Sequence, residues 1–268
     1  MTAGAQELLR LAREVAVEAG ELAARLRREG VEVQNTKSSP IDIVTAADRA
    51  AEDLIRARLA AARPADGFLG EESGAGTGTS GITWVVDPID GTVNYLYDLP
   101  NWSVSIAAVE GDPDPETWRA LAGAVAAPAL GEVFTASAGG GAHLGDRVLQ
   151  VRPPAELDRA LLSTGFHYTH AIRGNQARVA GELIPLVRDL RRTGGAAIDL
   201  ASVAAGRLDA FFEQGLNPWD QAAGGLLVTE AGGVVTGLAG AAPANRMVIA
   251  GHPAVVRELD GLLQRLGA

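Results

Sequence analysis

Apolar residues recur at helical spacing over the first 30 positions of the chain, and Arg and Glu occupy the positions between them. The residues that share this apolar face are Leu8, Ala12, Val15, Ala19, Leu22 and Leu26. Such a stripe predicts an amphipathic helix over 4–29, and Gly30 suits its end. An extended loop over 31–43 is expected to follow.

A second helix is predicted from its capping residues. Thr45 and Asp48 stand three positions apart before an apolar run that continues to about Leu59. This spacing allows the two side chains to cap the helix reciprocally. Asp48 therefore has a structural explanation, because a carboxylate stabilises the first turn of a helix.

Short apolar runs separated by Gly and Pro follow, and they predict a mostly antiparallel sheet. Strands are expected near 68–70, 82–86, 103–109, 120–126, 131–135 and around His143. The glycine-rich stretch 74–81 is expected to be an exposed or mobile loop. The pair Pro153-Pro154 is a candidate boundary, which predicts an N-terminal α+β lobe over 1–150 and a C-terminal α/β lobe over 151–268.

The C-terminal part shows alternating strand and helix patterns. Strands are predicted at 160–164, 208–213 and 247–250, and helices at 174–190, 196–205, 219–231 and 253–266. Arg191 to Gly195 is expected to form the turn that enters one of these helices.

Composition narrows the possible functions. The 268 residues include no cysteine, which excludes disulfides and thiolate chemistry. The formal charge of −10 argues against nucleic acid as a partner. The N-terminus lacks a signal-peptide pattern and no apolar run approaches a membrane span, so we expect no membrane partner and a cytoplasmic location. Lys37 is the only lysine, and it stands in the loop over 31–43.

The stretch after the strand at 82–86 carries the most distinctive chemistry. Apolar residues give way to Asp87-Pro88-Ile89-Asp90-Gly91-Thr92. Two carboxylates are thus expected just past the end of a buried strand, next to a helix start whose free N–H groups attract phosphate. Carboxylate oxygens suit a hard divalent cation such as Mg²⁺. A simple turn is the alternative, because Asp, Pro and Gly are common turn residues.

Other carboxylates stand in similar positions. Glu71 and Glu72 follow the strand near 68–70, Glu213 ends the strand at 208–213, and Asp220 opens the next helix. A solvated acidic turn or an ordinary helix cap would explain each of them singly. Because each lies at a strand end or a helix start, they could also meet at one edge of the two lobes.

Taken together, these segments resemble the inositol monophosphatase family, the lithium-sensitive, Mg²⁺-dependent phosphatases. The matching pieces, in the family's order and spacing, are Lys37-Ser38-Ser39-Pro40, Thr45 to Asp48, Gly70-Glu71-Glu72-Ser73, Trp84 to Asn94 and Pro218-Trp219-Asp220-Gln221-Ala222-Ala223-Gly224. The resemblance implies a layered αβαβα sandwich, as in fructose-1,6-bisphosphatase, and a homodimer. It also implies hydrolysis of inositol monophosphate to inositol and phosphate by a metal-activated water.

The resemblance further implies roles for single residues. Glu71, Asp87 and the Ile89 carbonyl would hold one Mg²⁺, and Asp87, Asp90 and Asp220 a second, with two or three ions per site in all. Glu71 and Thr92 would orient the attacking water, and Asp48 would support Thr92.

Substrate contacts are also implied by the resemblance. The Gly91 and Thr92 amides would hold the phosphate, with Lys37 nearby. The implied set around the rest of the substrate comprises Asp90, Arg191, Gly194, Gly195, Ala196, Glu213 and Asp220. The four histidines, His143, His167, His170 and His252, match no motif and are interpreted as structural or surface residues.

Several alternatives stay open. Phosphatases with an aspartyl nucleophile are disfavoured, because their two aspartates stand two residues apart, whereas Asp87 and Asp90 stand three apart. Related lithium-sensitive enzymes act on fructose 1,6-bisphosphate, histidinol phosphate or 3′-phosphonucleotides. A non-catalytic regulatory scaffold is a further possibility, against which the intact set of carboxylates argues.

Overall fold

A computed structural model of the chain describes residues 3–31, 33–36 and 43–268. Its α-helices are α1 (Ala3–Glu29), α2 (Ala46–Ala62), α3 (Thr92–Leu96), α4 (His170–Leu183), α5 (Ala196–Ala204), α6 (Pro218–Glu230) and α7 (Pro253–Arg265). Short 3₁₀ turns lie at Pro128–Leu130, Leu157–Arg159, Ile184–Leu186 and Leu238–Gly240. In the described part of the chain, none of the helices has both the length and the apolar character needed to cross a bilayer.

An eight-stranded sheet forms the larger of the two main sheets, with the order β10-β9-β8-β7-β6-β5-β3-β4. Its strands are β3 (Gly67–Gly70), β4 (Gly74–Gly76), β5 (Ile82–Asp90), β6 (Ser103–Glu110), β7 (Arg119–Ala127), β8 (Glu132–Ser137), β9 (Gly141–Leu144) and β10 (Arg147–Val148). Neighbouring strands are antiparallel except for β3 and β5, which are parallel. A mostly antiparallel sheet was expected from the sequence.

The smaller main sheet has five strands in the order β12-β11-β13-β15-β14. These are β11 (Leu161–Thr164), β12 (Asp189–Arg191), β13 (Ala210–Glu213), β14 (Val234–Thr236) and β15 (Val248–Gly251). Strand β11 runs parallel to both β12 and β13. A separate antiparallel pair is formed by β1 (Val33–Thr36) and β2 (Ile43–Thr45).

The elements stack in five layers, as the predicted αβαβα sandwich requires. Helices α1 and α2 cover one face of the large sheet, with Ile55 and Ile106 in the same apolar cluster. Helices α5 and α6 lie between the two sheets, and α4 and α7 cover the outer face of the small sheet. Burial of these apolar faces is the main force that holds the layers together.

The predicted lobe boundary at 150/151 falls between the sheets, since β10 ends at Val148 and β11 begins at Leu161. The core between the sheets nevertheless joins residues from both sides of it, because Val85 of β5 shares a cluster with Leu227 of α6 and Phe211 of β13. The division into two lobes stays a prediction.

Two local predictions were wrong. The helix expected over 174–190 ends at Leu183, and Asp189–Arg191 is strand β12. Pro185 is the physical reason, because it lacks the N–H that an α-helix needs and its ring clashes with the preceding turn. The loop expected over 74–81 begins with strand β4, which pairs with β3 at the sheet edge.

Candidate active site

Asp87 and Asp90 lie within strand β5 rather than beyond its end, which corrects the expectation from the sequence. Asp87 pairs with Ser105 of β6, and Asp90 pairs with Ser103. Between these two pairs, β5 has two residues and β6 has only one. This extra residue is a β-bulge at Pro88 and Ile89. Residues three apart on a regular strand point to opposite faces. The bulge removes that alternation and lets both carboxylates face the same cavity.

Gly91 turns the chain from β5 into α3. Its φ of +87° is a left-handed conformation that favours glycine. A Cβ atom there would lie 2.8 Å from the Asn101 carbonyl oxygen and 3.2 Å from that of Gly194. Helix α3 begins at Thr92, so the helix start next to the two aspartates is confirmed.

Asp220 reaches the same cavity from α6. It stands in the first turn of that helix, where its Oδ2 accepts a hydrogen bond of 2.6 Å from the Asn217 backbone amide. Carboxylate oxygens of Asp87, Asp90 and Asp220 all lie within 4.8 Å of one another. One oxygen from each residue could therefore bind a single ion.

Glu71 stands beside this cluster, at the turn that follows β3. Its backbone amide donates to the Val86 carbonyl (3.2 Å), and the next amide, of Glu72, donates to the buried Glu52 carboxylate (2.8 Å). Its side chain lines the cavity and interacts with that of Asp87. The turn is thus fixed both by β5 and by α2.

The carboxylates of the cluster are in an environment in which a bound cation would stabilise their charged form. Burial raises the pKa of Asp87 and of Asp220 well above the usual range, and the charge of Glu71 adds to the effect for both. Burial also raises the pKa of Asp90 to about 7, against the opposing effect of hydrogen bonds from the Ala197 and Ala196 amides. Several carboxylates in one buried place repel one another unless a cation is bound. An all-oxygen donor set of this kind fits Mg²⁺.

Asp48 serves both as a helix cap and as a partner of Thr92. Its Oδ2 accepts from the Thr45 amide (2.8 Å) and hydroxyl (2.5 Å), which completes the predicted capping box of α2. Its Oδ1 lies 3.3 Å from the Thr92 hydroxyl, which is also 3.1 Å from the Ile89 carbonyl oxygen. Burial raises the pKa of Asp48 to about 6.

Asp90 also connects the large sheet to α5. Its two oxygens accept hydrogen bonds from the Ala196 amide (3.1 Å) and the Ala197 amide (3.0 Å) at the start of that helix. Asn94 adds a second link, because its side-chain amide donates to the Thr193 carbonyl (2.9 Å). These bonds bring the turn before α5 to the edge of the cavity.

Most of the residues predicted for the site line one cavity of about 340 Å³. Those that line it are Glu71, Asp87, Ile89, Asp90, Gly91, Thr92, Gly194, Gly195, Ala196, Glu213 and Asp220. Asp48 reaches the cavity through Thr92. Lys37 lies outside the residues that the structure describes.

Arg191 is not brought to the cavity. It is exposed at the end of β12 and forms an ion pair with Asp189 (2.5 Å). Its neighbour Arg192 lines the cavity instead. Successive residues of an extended chain point to opposite sides, so the register of β12 offers Arg192 to the site rather than Arg191.

Sequence reasoning missed a second set of lining residues. These are Thr164, Gly165, Phe166, His167, Tyr168, Arg192, Asp199, Gln214, Gly215, Leu216, Asn217, Trp219 and Asn245. His167 is thus a cavity residue, although the sequence was interpreted as giving it a structural or surface place. The sequence carries no signal for this set, because its loops meet only through the parallel pairing of β11 and β13.

Asp199 is a buried member of this missed set. It accepts hydrogen bonds of 2.6 Å from the Ser163 hydroxyl of β11 and from the Thr193 hydroxyl. Burial raises its pKa to about 6. It therefore fixes the turn that carries Arg192 against the small sheet.

An αβαβα sandwich with a carboxylate cluster in one cavity is the arrangement of a metal-dependent phosphatase. The chain belongs to the inositol monophosphatase family, whose sequence model matches residues 5–266. The family and the fold predicted from the sequence are thereby confirmed, and with them the class of enzyme, a phosphatase.

Individual relatives cover most of the chain. An inositol-1-monophosphatase of Mycobacterium bovis is 46% identical over 239 residues, which are 85% of this chain and 80% of that protein. The Nus factor SuhB of Escherichia coli is 39% identical over 259 residues, 94% of each chain.

Solved structures agree with this placement. The extragenic suppressor protein suhB of Bartonella henselae has a TM-score of 0.88 at 36% identity and covers 97% of this chain and 99% of its own. The inositol monophosphate bound SaIMPase-II has a TM-score of 0.77 at 26% identity, with 95% and 92% covered.

Proposed function

We propose that this chain is a Mg²⁺-dependent phosphomonoesterase that hydrolyses inositol monophosphate to inositol and phosphate. The observation that carries the proposal is the convergence of Asp87, Asp90 and Asp220 within 4.8 Å, next to Glu71, in one cavity. The Mycobacterium bovis relative is named for this activity, and a structural neighbour was solved with inositol monophosphate bound.

The cluster of Asp87, Asp90 and Asp220 supports the metal ligands that the family resemblance implies. Asp87, Asp90 and Asp220 would hold one ion, and Glu71 with Asp87 and the Ile89 carbonyl another. Magnesium bound there supplies Lewis acidity toward water and the phosphate oxygens. Two or three ions per site and lithium sensitivity stay predictions.

Thr92 and Glu71 would orient the water molecule that attacks the phosphate. The Thr92 hydroxyl has one proton, which it can donate to Asp48 or to the Ile89 carbonyl. Its lone pairs then remain available to accept a hydrogen bond from water in the cavity. Glu71 also lines the cavity, and its carboxylate can accept the second proton of that water.

The leaving group faces a different wall, formed by Glu213 and its neighbours. Burial raises the pKa of Glu213 well above the usual range, and the charges of Asp220 and Asp199 act in the same direction. A polyol hydroxyl can hydrogen-bond such a carboxyl in either protonation state. The structure thus supports Glu213 as the group that recognises the inositol ring.

A regulatory role is the second candidate, and one observation favours it: the relative from Escherichia coli is named as a Nus factor. Activity on fructose 1,6-bisphosphate, histidinol phosphate or a 3′-phosphonucleotide also stays possible at the same metal site. A homodimer and a cytoplasmic location stay predictions.

Phosphate release from a substrate panel tests the proposal. The panel contains inositol 1-phosphate, fructose 1,6-bisphosphate, histidinol phosphate and 3′-phosphoadenosine 5′-phosphate, each with and without Mg²⁺. We expect Mg²⁺-dependent release that is fastest with inositol 1-phosphate. No release from any of the four would refute the proposed enzyme and favour the regulatory role.

Replacing Thr92 by alanine should lower kcat by about 100-fold, because a group that positions a water for proton transfer contributes at least this much. The concentration of Mg²⁺ that gives half-maximal activity should change little. Thr229→Ala is the control, since its exposed hydroxyl bonds only to the carbonyls of α6. A higher Mg²⁺ concentration at half-maximal activity, with unchanged kcat, would assign Thr92 to the metal rather than to the water.

Replacing Glu213 by alanine should reduce kcat/KM for inositol 1-phosphate by at least about 10-fold, the loss of about 1.4 kcal/mol expected for one hydrogen bond to a well-placed carboxyl. An ester without ring hydroxyls, 4-nitrophenyl phosphate, should be affected less than about 2-fold. The exposed Glu258 of α7, changed to alanine, is the control. Equal losses on both esters would show that Glu213 supports the metal site instead.

A further inference from the structure

Two loops that follow strands of the small sheet contribute residues to the wall of the cavity. The first, 165–169, follows β11, and the second, 214–217, follows β13. Because β11 and β13 are parallel neighbours, both loops leave the small sheet at the same edge. Glu213 ends β13 and directly precedes the second loop.

The two loops interlock closely. A Cβ atom on Gly165 would overlap the Glu213 carboxylate, and one on Gly215 would overlap the His167 ring. Each loop therefore contributes a glycine against which a side chain of the other strand or loop packs. A small displacement of either loop would move Glu213.

Gln176 of α4 joins the loops through both ends of its amide. Its Oε1 accepts a hydrogen bond of 2.7 Å from the His167 backbone amide. Its Nε2 donates a hydrogen bond of 3.1 Å to the Gln214 carbonyl. One side chain thus sets the separation between the two loops from behind the cavity.

The rest of the second loop is held by other partners. The Gly215 amide donates to the Asn245 carbonyl (2.7 Å), and the Asn245 side chain donates to the Leu216 carbonyl (3.2 Å). The Asn217 amide donates to Asp220. The Asp220 end is therefore anchored by its own contacts. At the other end, Glu213 is held by the pairing of β13 with β15, and Gln176 adds a bond to the carbonyl of the next residue, Gln214.

From this arrangement we propose that Gln176 is a positioning residue that sets specificity for the leaving group by fixing Glu213 and His167 relative to each other. The proposal rests on the proposed phosphatase function, because the leaving group is the inositol ring. Gln176 touches neither the phosphate nor the metal ligands. Its loss should change how the ring is bound and leave the chemistry of the ester intact.

The test uses Gln176→Met, which keeps the length of the side chain and removes both hydrogen bonds. We expect kcat/KM for inositol 1-phosphate to fall by about 10-fold, mainly through KM, as the loss of about 1.4 kcal/mol requires. For 4-nitrophenyl phosphate we expect kcat/KM to fall by less than about 2-fold. The Mg²⁺ concentration that gives half-maximal activity should not change. Gln264→Met is the matched control, since the side chain of this exposed residue donates to Asp260 on its own helix.

A second variant separates the two bonds. Gln176→Glu retains the acceptor for the His167 amide and loses the donor to the Gln214 carbonyl. The lost bond is the one that holds the residue next to Glu213. The Gln176→Glu protein should therefore lose as much kcat/KM on inositol 1-phosphate as the Gln176→Met protein. Wild-type kinetics in Gln176→Glu, or equal losses on both esters in Gln176→Met, would overturn the proposal.

Hydrogen–deuterium exchange of the same proteins gives a readout that does not depend on activity. Peptides covering 165–169 and 213–217 should exchange faster together in Gln176→Met, while peptides from β5 and β6 stay unchanged. Unchanged exchange in both loops would overturn the proposal even if the kinetics shifted. If the wild-type protein hydrolyses neither ester, the proposed function fails, and exchange alone still decides whether Gln176 couples the loops.

Discussion

Replacing Asp90 by asparagine is expected to reduce the rate of phosphate release by about 1,000-fold. This corresponds to a loss of about 4 kcal/mol of transition-state stabilisation, the amount that a bound metal ion typically contributes. A neutral amide is a poor ligand for Mg²⁺. The fold should persist, because the amide oxygen can still accept from one of the α5 amides that Asp90 now caps. Steady-state kinetics at saturating Mg²⁺ and a thermal melt check the two halves of this prediction.

Without Mg²⁺ at pH 8, the Asp90→Asn protein should melt no lower than the wild type. One lost helix-cap bond costs about 1 kcal/mol. Removing a buried carboxylate whose pKa is raised to about 7 relieves a larger penalty at that pH. Asp53→Asn, an exposed change on α2, is the control for the loss of charge. Unchanged turnover in a folded Asp90→Asn protein would contradict the metal assignment.

The second large effect is expected from metal removal at different pH values. Burial raises the pKa of Asp90 to about 7 and those of Asp48 and Asp199 to about 6, from a usual value of 3.8. The folded protein therefore keeps protons that the unfolded chain releases near pH 4. Stability from these groups is fully present below pH 4 and is lost as pH rises through 6 and 7.

In EDTA, the melting temperature should accordingly fall between pH 5 and pH 8, by on the order of 10 °C for a stability change of a few kcal/mol. Saturating Mg²⁺ should flatten this dependence, because the ion binds the deprotonated carboxylates and stabilises the folded state. The Asp90→Asn protein should show a shallower slope in EDTA. A melting temperature that rises with pH in EDTA, or no effect of Mg²⁺ at pH 8, would contradict the electrostatic description of the site.

Much of the candidate site is visible in the sequence, because its key groups are neighbours along the chain. The segment from Asp87 to Thr92 contains two carboxylates, a left-handed glycine and a helix start within six positions. Asp48 and Asp220 are marked by capping patterns that local spacing reveals. The layer order was implied by the family resemblance, which these local motifs carry, and the structure confirms it.

Only the tertiary structure decided which side chains share the cavity. The bulge at Pro88 and Ile89 gives Asp87 and Asp90 a common face, and it depends on pairing with β6. Arg192 lines the cavity and Arg191 does not, because consecutive residues of an extended chain point to opposite sides.

Long-range contacts account for the other site features that the sequence did not predict. Asp90 binds amides 106 and 107 positions away, and Gln176 joins two loops that follow different strands. Local periodicity predicts which residues are buried and which helices and strands form, because both depend on residues a few positions apart. The wall that faces the leaving group is built from loops that follow two parallel strands. Their arrangement depends on how the strands pair, which no pattern within a single segment specifies.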